Sequence, residues 1–155
     1  MKLLLTFIFT ILLFGCASKY RVQLNTPYSV LKNNEGYLGL VFNTLDSLKS
    51  IQIKNMDSGE EFYVGRAEKG ISQITLKLTE GEYCFVGFDV YQFRMDFTDR
   101  GFCTYVEAGE LNYFGEFVVR DPVTNVHSNY KRYVYLLKKD LPELCHVFVN
   151  DECEL

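Results

Sequence analysis

The chain is 155 residues long and 48% hydrophobic, with 16 basic and 20 acidic side chains giving a formal charge of −4. That length suffices for one domain with its own core. Basic residues cluster no further than the pairs Lys131-Arg132 and Lys138-Lys139, which excludes nucleic acid as a partner.

Lys2, the apolar run Leu3 to Phe14 and then Gly15 form the pattern of a bacterial export signal. Ending in Leu13-Phe14-Gly15-Cys16, residues 1–15 resemble a lipoprotein signal peptide, whose removal leaves Cys16 as the lipid-bearing amino terminus. Two rival readings fare worse. An apolar helix of about a dozen residues rises only about 18 Å, short of the roughly 30 Å hydrocarbon core. An ordinary secretory leader would end in an A-x-A-like pattern instead. The resemblance implies that Ala17, following the cysteine in place of Asp, directs the protein to the outer membrane, facing the periplasm. Three acyl chains, at about 0.8 kcal/mol per buried CH₂, would make that anchor effectively permanent.

Residues 16–34 are polar and interrupted by Pro27, and read as a lipidated terminus and tether ahead of a domain over residues 35–155. From there the hydrophobic period is mostly two, the mark of strands with one buried face. Gly36 to Thr44 is a compact apolar run. Residues 48–65 predict a hairpin around Asp57-Ser58-Gly59. Ile74, Leu76 and Leu78 alternate with polar residues up to a turn at Glu80-Gly81, after which Tyr83 and Phe85 resume the apolar face. Residues 87–97 are rich in aromatics and are followed by a turn at Thr98-Asp99-Arg100-Gly101. A second hairpin is expected from Phe102–Glu107 and Leu111–Arg120, with Leu111, Tyr113, Phe117 and Val119 on one face and a gap or bulge at Gly115.

Beyond Asp121-Pro122 the period changes. Val126, Tyr130, Tyr133, Val134, Leu137, Leu141 and Leu144 recur mostly at three- and four-residue intervals, one stripe of an amphipathic helix, with Tyr135 facing away. Pro142 limits it, which places the helix at about 127–140. The tail holds a short apolar piece, residues 146–149, between Cys145 and Cys153.

Four of the five cysteines follow Cys16: Cys84, Cys103, Cys145 and Cys153. An even set in an exported chain points to two disulfides. Proximity in sequence favours Cys84–Cys103, on adjacent strands, and Cys145–Cys153, which would tie down the tail. The spacings lack the paired C-x₂-C motifs of a zinc site.

The expected fold is therefore mainly β, a single antiparallel β-sandwich of about seven to eight strands with one C-terminal amphipathic helix. Residues 78–85 (Leu78-Thr79-Glu80-Gly81-Glu82-Tyr83-Cys84-Phe85) and 106–115 (Val106-Glu107-Ala108-Gly109-Glu110-Leu111-Asn112-Tyr113-Phe114-Gly115) resemble a pattern of small bacterial envelope lipoproteins. Those carry transthyretin-like or carboxypeptidase-regulatory-like sandwich domains. The likeness covers residues 70–120, implies a sandwich, and carries no activity, since its glycines and tyrosines serve turns and core.

Chemistry-bearing groups are sparse. The histidines, His127 and His146, read as surface or half-buried side chains, and neither a G-x-S-x-G elbow nor an H-E-x-x-H motif is present. Glu60, Glu61, Glu80, Glu82, Asp89, Asp96, Asp99, Glu107, Glu110 and Glu116 fall mostly in turns or on wet strand faces, as do Asp151, Glu152 and Glu154 in the tail. Phe88, Tyr91, Phe93 and Phe97 form a candidate binding patch for a glycan or a partner strand if they are exposed, or part of the core if they are not. The sequence thus points to a non-catalytic, lipid-anchored envelope protein without cofactor or metal, structural or interacting with another envelope component. The alternatives are an aromatic-patch module for carbohydrate or peptidoglycan and a hydrolase using two carboxylates.

Overall fold

A computed structural model describes residues 20–21, 28–98, 101–120, 123–149 and 153. Residues 1–15, expected to be a leader, and Cys16, Ala17, Asp99, Asp151, Glu152 and Glu154 lie outside the described residues.

Two sheets pack face to face, so the alternating pattern does produce a β-sandwich. The strands are β1 (Tyr20–Arg21), β2 (Glu35–Thr44), β3 (Leu48–Asn55), β4 (Glu61–Ala67), β5 (Gly70–Thr79), β6 (Gly81–Val90), β7 (Phe93–Asp96), β8 (Cys103–Val106), β9 (Leu111–Arg120) and β10 (Val123–His127). One sheet is six-stranded, in the order β1-β4-β3-β6-β7 with β8 also on β6, and the other is four-stranded, in the order β10-β9-β2-β5. Their shared interior is a ring cluster centred on Phe85, which lies 4.5 Å from Phe117 and 5.6 Å from Phe97 between centroids. Phe42 stacks on Phe117 at 5.3 Å, and Phe88 sits 5.5 Å from Phe97.

The β3–β4 hairpin forms where expected. Asn55 Oδ1 accepts the backbone N–H groups of Asp57 and Ser58 at 2.9 and 2.8 Å, closing the turn. The second expected hairpin does not form. β8 pairs with β6, whereas β9 pairs with β10 and runs parallel to β2. The N–H of Gly109 donates to Glu35 O and that of Tyr37 to Glu110 O, both at 2.8 Å, so the chain leaving β8 is captured by β2. It crosses the core to the other sheet instead of folding back. β5 and β6 likewise lie in different sheets, so the turn at Glu80-Gly81 is also a crossing. With β1 parallel to β4 as well, the sandwich is not wholly antiparallel.

Nor do Leu111, Tyr113, Phe117 and Val119 share a face. Gly39 pairs with Tyr113 but Leu40 with Gly115, leaving Phe114 as an extra residue. One added residue inverts the side-chain alternation. Leu111 and Tyr113 therefore point outward toward the helices, while Phe114, Phe117 and Val119 point into the sandwich. Gly115 is a close approach rather than a gap: a Cβ there would sit 2.7 Å from Val126 Cγ1.

Two helices follow the strands, not one. Residues 123–127 add β10 to the edge of β9, so the first helix, α1 (Tyr130–Asp140), starts later than the stripe predicts. Pro142 ends it by disfavouring helical backbone at Leu141 (φ −140°). The same proline opens α2 (Pro142–Phe148), since a first-turn residue needs no N–H. The apolar piece of the tail is this second helix. Disulfides join Cys84 to Cys103, which are register partners on β6 and β8, and Cys145 of α2 to Cys153. The helices cover the outer face of the four-stranded sheet, where Tyr37 and Val41 meet Tyr133, Val134, Leu137 and Leu144 in a second core.

Tyr133 decides how closely α1 approaches. A Cβ at Gly39 would lie 2.1 Å from the Tyr133 ring, so this ring rests on bare backbone. It also stacks on Tyr113 at 5.1 Å and shares a 3.2 Å hydrogen bond with Thr75 Oγ1. Overpacking of this kind typically costs about 1–3 kcal/mol, and Gly39→Ala should lose that much in chemical denaturation. In a Tyr133→Ala background the same substitution should cost less than about 0.5 kcal/mol, a coupling that a double-mutant cycle reads directly.

Candidate functional site

The outer face of the four-stranded sheet also carries its one described carboxylate that is both buried and central. Glu116 on β9 is 2% exposed. Its carboxylate accepts a hydrogen bond from Asn43 Nδ2 on β2 at 3.1 Å and from Asn129 Nδ2 at 2.8 Å, and it pairs closely with the Arg132 guanidinium of α1. Arg120 extends the network, donating to Asn43 O and Oδ1 at 2.8 and 2.9 Å. Two strands and the entry to α1 thus meet at one carboxylate. Its oxygens are committed to three side-chain donors. The nearby phenols are no more available: burial raises the pKa of Tyr113 and carries that of Tyr133 well above the usual phenol range.

Other groups singled out in the sequence are dispersed. His127 ends β10 as an exposed strand residue in register with Glu116, not at a helix start. His146 is exposed on α2 beside the disulfide-bonded Cys145. Glu60, Glu80, Glu82, Asp96, Glu107 and Glu110 are exposed, and Glu61 and Asp89 are half-buried. Asp96 accepts the N–H and hydroxyl of Thr98 at 2.9 and 2.7 Å, and these bonds hold its carboxyl below the usual range. Among the described residues no three His, Cys, Asp or Glu side chains gather as a metal ion requires.

The aromatic segment divides. Phe88 and Phe97 are core residues, 0% and 2% exposed, and drop out of the candidate patch. Tyr91 and Phe93, at 69% and 63%, remain on the surface at the β6–β7 turn. The reason is where the sandwich ends: Phe88 lies within the packed layer, whereas residues 91–93 turn the chain beyond it. Tyr91 adopts a left-handed backbone (φ 52°) and donates its hydroxyl to Asp46 Oδ1 at 2.7 Å. Arg94 braces the hairpin, reaching Gln52 Oε1 at 2.9 Å and both Ser50 O and Asp89 Oδ1 at 3.3 Å. Leu45, 55% exposed, precedes Asp46 and adds a third apolar group at this end. Tyr135 is exposed on α1, where Tyr133 is buried.

Sequence reasoning had Glu116 only as one solvated carboxylate among many, and missed Asn43, Arg120, Asn129 and Arg132. A signal was present. An amphipathic helix must cover something, and a sandwich offers it only the outer face of a sheet, so residues on that face need not be wet.

No protein-family model, curated protein or solved structure matches the chain.

The Glu116–Arg132 pair is asymmetric, since the arginine side chain is 37% exposed and the glutamate side chain 3%. Loss of the cation strands a buried charge, whereas loss of the anion leaves a guanidinium that rehydrates. Arg132→Met should therefore cost about 3 kcal/mol and Glu116→Gln about 1 kcal/mol. Equal losses in parallel urea titrations would contradict this ordering.

Proposed function

We propose that this is a lipid-anchored protein of the bacterial cell envelope whose sandwich has a structural or protein-interaction role rather than a catalytic one. The observation that carries the reading is the pairing of all four downstream cysteines into two disulfides, which fits an oxidising compartment outside the cytosol. The leader ending at Cys16 supplies the anchor, and Ala17 argues for the outer membrane with the domain in the periplasm. Kinship with transthyretin-like lipoprotein domains belongs to the same proposal. The commitment of Glu116 to Arg132, Asn43 and Asn129 speaks for a fastening role and against a carboxylate hydrolase.

The surface best suited to a partner is the β6–β7 tip, where Tyr91 and Phe93 stand out with Leu45 nearby. A glycan-binding role is the second reading, favoured by the same two exposed rings.

Cys16→Ser should shift the protein from the membrane fraction to the soluble fraction, with loss of the acyl mass from the intact protein. A photo-crosslinking residue in place of Phe93 should capture a discrete envelope protein in living cells, whereas one in place of Tyr135 should not. Adducts identical at both positions would end the tip proposal. If the partner is a glycan, the oxidised domain should co-sediment with purified peptidoglycan, and Phe93→Ala should weaken that binding about tenfold, as for a lost aromatic anchor.

A further inference from the structure

We propose that the lipid anchor holds the sandwich close to the membrane by its acidic end, because Tyr20 and Arg21, a few residues after Cys16, pair with the edge of β4. The inference rests on Cys16 being lipidated, as argued above.

The polar stretch ahead of the domain is not all spacer. Tyr20 and Arg21 pair in parallel with Phe62 and Tyr63, placing β1 on the outer edge of the six-stranded sheet. Further along, Ser29 is clasped by Tyr37, whose hydroxyl donates to Ser29 O and accepts the Ser29 N–H, both at 3.0 Å. Lys77 Nζ adds a bond to Ser29 Oγ at 3.2 Å. Among the described residues the chain is thus first fixed to the domain at Tyr20.

Chain reach turns this into a distance. At no more than about 3.6 Å per residue, a tether free from Cys16 to Glu35 would reach almost 70 Å, whereas from Cys16 to Tyr20 it reaches about 14 Å. The first arrangement lets the domain tumble far from the bilayer. The second does not.

Strand direction says which end faces the lipid. β1 and β4 run the same way and Tyr20 pairs with Phe62, so the chain before Tyr20 comes from the β3–β4 turn end. That end also holds the β5–β6 and β8–β9 crossings: Glu82 N–H donates to Asp57 Oδ2 at 3.2 Å, and Glu80 N–H to Asn34 O at 2.8 Å. Asp57, Glu60, Glu80, Glu82, Glu107 and Glu110 are all exposed there. Lys32 and Lys77 at this end are both paired with Glu35. The resulting field is felt by Tyr105, whose pKa is raised by desolvation and by Glu80, Asp57 and Glu107. Leu45, Tyr91 and Phe93 lie at the opposite end, which this orientation turns away from the membrane.

The test uses the mature lipidated protein in phosphatidylcholine vesicles carrying an acceptor-labelled lipid. A donor dye is placed at Glu60→Cys, in the β3–β4 turn, or at Lys69→Cys, in the β4–β5 turn; both positions are exposed. The seven-residue strand β4 and its flanking residues separate them by up to about 30 Å, so energy transfer should be at least twofold more efficient from position 60. Tyr20→Pro/Arg21→Pro, which removes the N–H donors of β1, should lower both efficiencies and erase the difference. Circular dichroism checks that the variant remains folded. Equal transfer from the two positions, stronger transfer from position 69, or indifference to the prolines overturns the inference while the anchor stands. Intact mass without acyl chains overturns the anchor and the inference together.

Discussion

The four-stranded sheet is buried on both faces, and the rest of the structure depends on how its outer face is closed. Tyr37, Val41, Leu111 and Tyr113 would otherwise stand in water on that face. Burying each large apolar side chain contributes about 1.5–3 kcal/mol, enough to demand a cover. That cover is α1, held at contact distance because Gly39 lets the Tyr133 ring lie on the backbone. Glu116 and Arg132 then set its position along the sheet. The apolar contact supplies the larger energy and the ion pair supplies registry, a role for which buried polar groups are better suited than for raw stability.

Closing this face also explains why the helical segment breaks in two. A single helix continuing past Leu141 would keep one direction, whereas Pro142 lets α2 turn and add Leu144 and Cys145 to the second core. The Cys145–Cys153 disulfide then secures the chain end against this layer. On the other side of the sandwich, Cys84–Cys103 locks β8 to β6, so the following segment is free to cross to β2 without losing its place. Each disulfide sits where the chain changes layer or terminates. Neither occupies the phenylalanine-rich interior.

Much of this was legible in the residues. The β3–β4 hairpin follows from Asp57-Ser58-Gly59 between alternating apolar runs, and the cysteine pairs follow from proximity on neighbouring elements. The helical stripe picked out Tyr133, Val134, Leu137 and Leu144, all of them buried. Strand partners were another matter. Alternation says which face of β8 is apolar, and Val106 does enter the core. It does not distinguish a strand that folds back within one sheet from a strand that crosses to the opposite one, because both bury the same side chains. Gly115 marks an irregularity in β9, but that Phe114 is the extra residue, which turns Leu111 and Tyr113 away from Phe117, depends on the pairing with β2. Phe88, Tyr91, Phe93 and Phe97 share one composition yet divide between core and surface according to where the sheet stops.

By itself the sequence determined the class of fold, the buried face of most strands and the pairing of the cysteines. Those are local properties, set by hydrophobic period, turn chemistry and the short reach of neighbouring segments. Only the tertiary structure decided which strands are neighbours, that Glu116 is buried and already partnered, and that the polar stretch before the domain is partly annealed to its edge. Each of these depends on groups far apart in the chain, such as Asn43 with Glu116 or Tyr20 with Phe62. Their meeting is set by how two sheets and two helices share out one limited supply of apolar surface, and no local pattern records that.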